Sequence, residues 1–124
     1  MKLEQFYVAA PFELRDQARL LRDAVQATGR VCTASWIDEP AGQDDAQGAL
    51  IDLRDIDDAD VLILLNPEGW ERRGTGGRHV ETGYALASIG RVAIVGVRSN
   101  IFHHLGEDVV DVFATTEELL AWLD

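Results

Sequence analysis

One cysteine in 124 residues excludes an internal disulfide and any multi-thiolate metal centre. That residue, Cys32, lies in the apolar stretch Val31-Cys32-Thr33-Ala34, where a buried, inert thiol is expected rather than a nucleophile. Long apolar runs are missing too. None approaches the roughly 18 residues that span a bilayer, and MKLEQFYVAAPFELRD lacks the basic and apolar regions of a secretion signal. A soluble, cytoplasmic protein with no membrane partner is expected. Positive charge is scarce: 11 basic residues face 22 acidic ones, a formal net charge of −11. Such a surface repels a phosphate backbone and argues against a nucleic-acid polymer as partner. A small anion stays open, because a local cluster can oppose the global field. What is present is ordinary globular composition, 47% hydrophobic and 27% charged, enough for one core and one domain over residues 1–124.

Strand-like and helix-like patterns alternate along the chain. Phe6–Ala10 reads as a buried strand stopped by Pro11, and Pro11 to Thr28 as a helix with Leu14, Ala18, Leu21 and Val25 on one face. Gly29 is placed to end it. Arg30–Trp36 is predicted as a second strand, and Asp38–Gly48 as a polar loop. A helix is predicted over Ala49–Ala59, then a strand over Asp60–Leu65, whose unbroken apolar run implies cover on both faces. The loop Asn66–Gly77 leads to a helix ending at Ile89–Gly90. Strands at Val92–Val97 and Val109–Phe113 follow, and a closing helix at Thr115–Leu123 can be capped by Thr115 or Thr116. This alternation implies an α/β fold, a flavodoxin-like three-layer sandwich with a mostly parallel five-stranded sheet. In such folds ligands sit beyond the carboxyl ends of the strands.

The most informative segment is therefore Arg72-Arg-Gly-Thr-Gly-Gly-Arg-His-Val-Glu-Thr-Gly-Tyr84, which joins a buried strand to a helix. Its glycines read either as a tight turn or as an anion cradle at a helix N-terminus. Arg72, Arg73 and Arg78 concentrate positive charge there, unless Glu68 and Glu71 simply balance them on a solvated loop. Glu81 falls in the first turns of the helix, where the dipole favours the ionised carboxylate, as a capping residue or as a reacting group. Asp52 lies inside the apolar arc of its helix, between Ile56 and Ala59, which is costly for an unused carboxylate. Asp57 also borders that stripe, so position alone does not single out Asp52. Asp55, Asp57, Asp58 and Asp60 read as a solvated acidic face.

Three segments carry a resemblance in the right order: Tyr7-Val-Ala-Ala-Pro11, Asp52-Leu-Arg-Asp-Ile-Asp-Asp-Ala-Asp60-Val and Gly77-Arg-His-Val-Glu81-Thr-Gly-Tyr-Ala85. Together they resemble the nucleoside 2-deoxyribosyltransferase family, which includes nucleotide N-glycoside hydrolases. The likeness spans about residues 5–105. It implies a flavodoxin-like fold, no cofactor, and cleavage of the bond between a base and C1′ of a deoxyribose. It also implies Glu81 as nucleophile, Asp52 as acid, base or orienting group, and Tyr7 as the residue holding Glu81. The chemistry parallels a retaining glycosidase, with water or a second base as acceptor. A nucleoside or nucleotide is then the partner, in a homodimer or larger assembly with shared pockets, and Asn100 is a candidate for the adjoining site.

One departure bears on the substrate. Transferases of free nucleosides carry a carboxylate six positions before the nucleophile, whereas this chain has Thr75 there. A hydroxyl beside Gly76 and Gly77 suits a 5′-phosphate that a carboxylate would repel. Phe12 and Trp70 are candidates for contact with the base, while a core or interface role is favoured for Trp36. His103 and His104 are adjacent, share no helix face and have no carboxylate to complete a ligand set, so no metal is expected. The competing reading from another class is a non-catalytic nucleotide-binding sensor domain. An electron-transfer flavodoxin-like protein would want a hydroxyl-rich phosphate loop where this chain has Ala9-Ala10-Pro11-Phe12.

Overall fold

The computed structural model describes residues 3–39 and 45–124. Strand β1 (Gln5–Ala9) is buried except at its first residue, and Pro11 ends it. The Pro11 carbonyl accepts from Leu14 N–H (2.8 Å), giving one 3-10 turn over Phe12–Leu14 before helix α1 (Arg15–Gln26) begins. The predicted helix therefore starts later, but its stripe holds: Leu14, Ala18, Leu21 and Val25 are all buried. Helix α2 (Asp45–Asp57) leads to strand β3 (Val61–Asn66), and α3 (Gly77–Ser88) to β4 (Val92–Gly96). After another 3-10 turn at Ile101–His104, β5 (Val110–Phe113) and α4 (Thr116–Leu123) close the chain. Thr115 caps α4 by accepting from Glu118 N–H at 3.2 Å.

Strand β2 departs most from expectation. It comprises only Val31–Cys32, not Arg30–Trp36, and a 3-10 turn occupies Ser35–Asp38. A distant residue ends the strand. Asp55 on α2 accepts from both Ser35 N–H (3.0 Å) and Ser35 Oγ (2.7 Å), which turns the chain out of the sheet. Helix α2 also starts before Ala49, so residues 45–48 of the expected polar loop are helical, and residues 40–44 lie outside the described residues. The acidic face is not simply solvated either. Asp57 accepts from Tyr84 OH (2.8 Å), and Asp60 from the N–H groups of Glu4 (3.0 Å) and Gln5 (2.9 Å).

All strand pairs are parallel, in the order β2-β1-β3-β4-β5. That is the flavodoxin-like order. Every residue of β3 is buried, as expected for a strand covered on both faces. Helix α1 packs with α4 and α2 with α3, giving a three-layer α/β sandwich. Among the described residues no helix is long and apolar enough to cross a membrane.

The order brings the carboxyl ends of β1, β3 and β4 together. Asn66 pairs with Gly96 where β3 and β4 end, and Gly96 has φ 128°. A Cβ there would lie 2.0 Å from the Asn66 carbonyl oxygen, an overlap with backbone that no rotamer relieves. Gly96→Ala should therefore lower unfolding free energy by about 2 kcal/mol or more through strain and overpacking. Gly106→Ala, where a Cβ meets open space, should change it by less than about 0.5 kcal/mol. Urea denaturation of both variants checks the pair.

Candidate active site

The alternation of β1 decides which side chain enters the site. Phe6 and Val8 face one helix layer, and Tyr7 and Ala9 face the other. Tyr7 is fully buried and donates its hydroxyl to Glu81 Oε2 on α3. Asp52 approaches from α2, within hydrogen-bonding reach of the same carboxyl group. Three residues separated by 45 and 29 positions thus meet where α2 and α3 pack over β1.

Their protonation follows from burial. Desolvation pushes the Tyr7 phenol far above its ordinary range, and the Glu81 and Asp52 charges push the same way, so it remains a neutral donor. Glu81 is also pushed up, by burial first and then by the Asp52 charge, although the Tyr7 hydrogen bond pulls down. This reverses the ionised state expected from the helix dipole alone. Dipole stabilisation is modest, and desolvation beside a second carboxylate outweighs it. Asp52 is raised mainly by burial, while its hydrogen bond with Glu81 favours the charged form. Burial and mutual repulsion therefore disfavour ionisation of both carboxyls at once, and the two titrate as one coupled pair raised above the ordinary carboxyl range.

These groups open into a cleft of about 690 Å³. Asp52, Glu81, Phe12, Thr75, Gly76, Gly77 and Arg78 all line it, so most sequence candidates converge. The glycine loop is shaped by positive φ at Gly74 (84°) and Gly76 (86°), and Gly76 stands at the N-cap of α3 without a side-chain cap. Glu39 and Asp45, neither of them singled out by the sequence, add carboxylates to the wall.

Four further residues singled out by the sequence are placed as follows. Trp36 packs against the core, as favoured, and also forms a wall of the cleft, 6.5 Å from Phe12 between ring centroids, with its indole N–H held by the Val8 carbonyl at 2.8 Å. Trp70 is not among the lining residues. Its ring lies 4.1 Å under the Arg73 guanidinium, because the loop folds back on itself. Asn100, expected at an adjoining subunit's site, does not line this cleft; it accepts from Phe102 N–H (2.9 Å), capping a 3-10 turn. Arg78 lines the cleft, but it is only 3% exposed and its guanidinium is bound to loop carbonyls. The signal for this was Asn66, a polar residue ending the apolar strand Val-Leu-Ile-Leu-Leu-Asn and accepting from Arg78.

His103 is buried, accepts from Ser99 N–H through Nδ1 (2.9 Å), and is pushed down to about 4 by burial and neighbouring cationic groups. Among the described residues no three His, Cys, Asp or Glu side chains are grouped to hold a metal ion. Burial pushes the Cys32 thiol up to about 11.

No family model matches the chain, and no curated protein matches it. Among solved structures, the CMP N-glycosidase BcmB of Clostridium botulinum has a similar fold. The TM-score is 0.63 and the identity 18%, covering 97% of this chain and 98% of that one.

The raised carboxyls have a consequence for stability. A folded-state value above the unfolded one favours folding below the unfolded value, about 4.3 for glutamate, and this advantage is lost as pH rises through the folded value. Glu81→Gln removes that loss while keeping an acceptor for Tyr7 and a donor for Asp52. Its stability relative to wild type should grow from pH 4 to pH 8 by about 1 kcal/mol or more. Urea melts across that range measure it, and a constant gap would contradict the raised pair.

Proposed function

We propose that this protein cleaves the N-glycosidic bond of a 2′-deoxyribonucleoside, and preferentially of its 5′-monophosphate, through a covalent deoxyribosyl ester on Glu81. The observation that carries this reading is the contact pair of buried carboxyl groups, Glu81 and Asp52, held by Tyr7 beside a glycine loop. Carboxyl groups in hydrogen-bonding reach leave no room for the intervening water of an inverting mechanism and favour double displacement. The enzymes that the motifs resemble, and the fold neighbour that acts on CMP, support the same class of bond.

The proton can be followed through the cycle. Glu81 passes its proton to Asp52 and attacks C1′ as the carboxylate. Asp52 delivers that proton to the base nitrogen as the C1′–N bond breaks, which leaves Asp52 ionised beside the ester. Water then attacks C1′, losing a proton to Asp52 and releasing Glu81. The proton returns to Glu81, and the net change is addition of water. A second base in place of water gives transfer, so hydrolysis is the favoured outcome only where water reaches the ester first. Tyr7 stays neutral throughout and holds the attacking oxygen.

Substrate preference follows from the loop. Thr75, Gly76 and Gly77 present no carboxylate to a 5′-phosphate, and the N-terminus of α3 favours a dianion. A shared-pocket homodimer belongs to the same reading. Ile101, Phe102 and Leu105 beside Asn100 are exposed apolar side chains that a second copy would cover. Sedimentation at twice 13.7 kDa is the expected result.

Glu81→Ala should abolish base release, and a 2-fluoro-deoxyribosyl substrate should leave a mass adduct on Glu81 in the wild type. Nucleotide binding with no base released from any of a panel of nucleosides and monophosphates would instead establish the sensor reading. A deoxynucleoside monophosphate should exceed its nucleoside in kcat/KM by about ten- to a hundredfold per phosphate contact. Thr75→Asp should reverse that order, and equal efficiencies in the wild type would refute the phosphate preference.

A further inference from the structure

The geometry points to Arg78 as a positioning residue: a buried strut that fixes the shape of the glycine loop from behind, anchored through Asn66 to the segment after β4. This rests on the reading of the cleft as a nucleotide site, but it makes Arg78 a support of that site and not a ligand to the phosphate. The guanidinium donates to the Trp70 carbonyl at 2.6 Å, to the Arg73 carbonyl at 2.9 Å and to Asn66 Oδ1 at 3.4 Å. Asn66 is fully buried, and its Nδ2 donates to the Val97 carbonyl (2.7 Å) and to Ser99 Oγ (3.2 Å). One connected network therefore runs from the loop, through α3, to the residues beyond β4.

Two features show that the strut shapes the loop. Peptide groups are planar and trans, so a carbonyl drawn toward Arg78 turns the next N–H the opposite way. Binding the Arg73 carbonyl therefore aims Gly74 N–H away from the guanidinium. Gly74 itself has φ 84°, and a Cβ there would sit 3.1 Å from Arg78 Nη1, so a larger residue would be strained and would press on the strut. Arg78 also begins the turn of α3 that ends at Glu81, which ties loop and reacting carboxyl to one rigid element. No ion pair within 4.0 Å neutralises it among the described residues. The fork needs a planar, multidentate donor. Lysine keeps the charge but cannot bind two carbonyls and an amide in that arrangement.

Arg78→Lys tests the idea with two readouts. Amide hydrogen exchange should quicken about tenfold or more over residues 67–77 while β1, β3 and β4 stay protected. With a deoxynucleoside monophosphate, KM should rise about tenfold and kcat should fall by less, with a smaller rise in KM for the free nucleoside. Guanidinium ion added to Arg78→Ala should restore part of the lost KM. Ser99→Ala, which trims only the far anchor, should loosen the same loop to a smaller degree and serves if the Arg78 variants do not fold. Wild-type exchange in the lysine variant, or in Ser99→Ala where that variant must stand in, would overturn the strut. So would a lysine variant whose KM for the monophosphate equals that of arginine. Loop-confined loosening in a protein that releases no base from any substrate would leave the strut standing and refute the proposed function.

Discussion

Everything at the cleft depends on two carboxyl groups brought into contact beside a buried phenol. Two ionised carboxylates in contact repel, and burial strengthens the repulsion, so the pair keeps a proton that water would remove. The state can persist only because the surroundings are rigid. Tyr7 comes from a strand paired on both sides, and the Tyr84–Asp57 hydrogen bond joins α3 to α2 behind the reacting groups. The site is thus destabilising in itself, and its energetic cost is offset by a sheet in which β3 is buried throughout and β4 at all but its last residue.

The same logic bears on how a chain of net charge −11 would accommodate the anion proposed above. Glu39 and Asp45 stand in the cleft wall with Asp52 and Glu81, so the side chains alone would repel a phosphate. Arg78 supplies fixed positive charge, and the uncapped N-terminus of α3 supplies oriented N–H groups. The raised Glu81–Asp52 pair, in which ionisation of both carboxyls is disfavoured, also lessens the negative charge of the wall. Under the proposed reaction, ionisation of both carboxyls would therefore weaken nucleotide binding while removing the proton that the leaving base requires.

Legibility in the sequence divides along the range of the interactions involved. The enclosed strand at 61–66, the apolar stripe of α1 and the Thr115 cap depend on near neighbours, and their patterns predicted them. Strand β2 depends on Asp55 capturing Ser35 across 20 positions, and no local pattern reports that. Asp57 and Asp60 looked solvated for the same reason. Convergence of Asp52, Glu81 and the glycine loop was readable from motif order, but the ionisation of Glu81 was not. Helix position suggests a stabilised carboxylate, and only burial in the folded chain together with the Asp52 charge reverses the sign, against the pull of the Tyr7 hydrogen bond. Trp36 reaches the cleft as well as the core because β2 is short, and the loop fold that sets Trp70 against Arg73 has no local signal either.

A fold shared at 18% identity over nearly the whole chain shows how little of the sequence the scaffold specifies. Apolar patterning at the right periods suffices for five parallel strands and their helices. The site is more demanding, but on few residues: a phenol on β1 and one carboxyl on each of two helices. Between them lies the loop from Asn66 to Gly77, whose conformation no strand ladder dictates. A loop of glycines with positive φ has many alternative shapes and loses considerable entropy when fixed in one. Something must select that shape before the ligand arrives, or ligand binding would bear the ordering cost. In this chain a buried guanidinium bound to two loop carbonyls is the group in position to do so. The loop can then vary in what it presents to the cleft while its proposed strut, one helical turn from Glu81, keeps it in register with the Glu81 carboxyl.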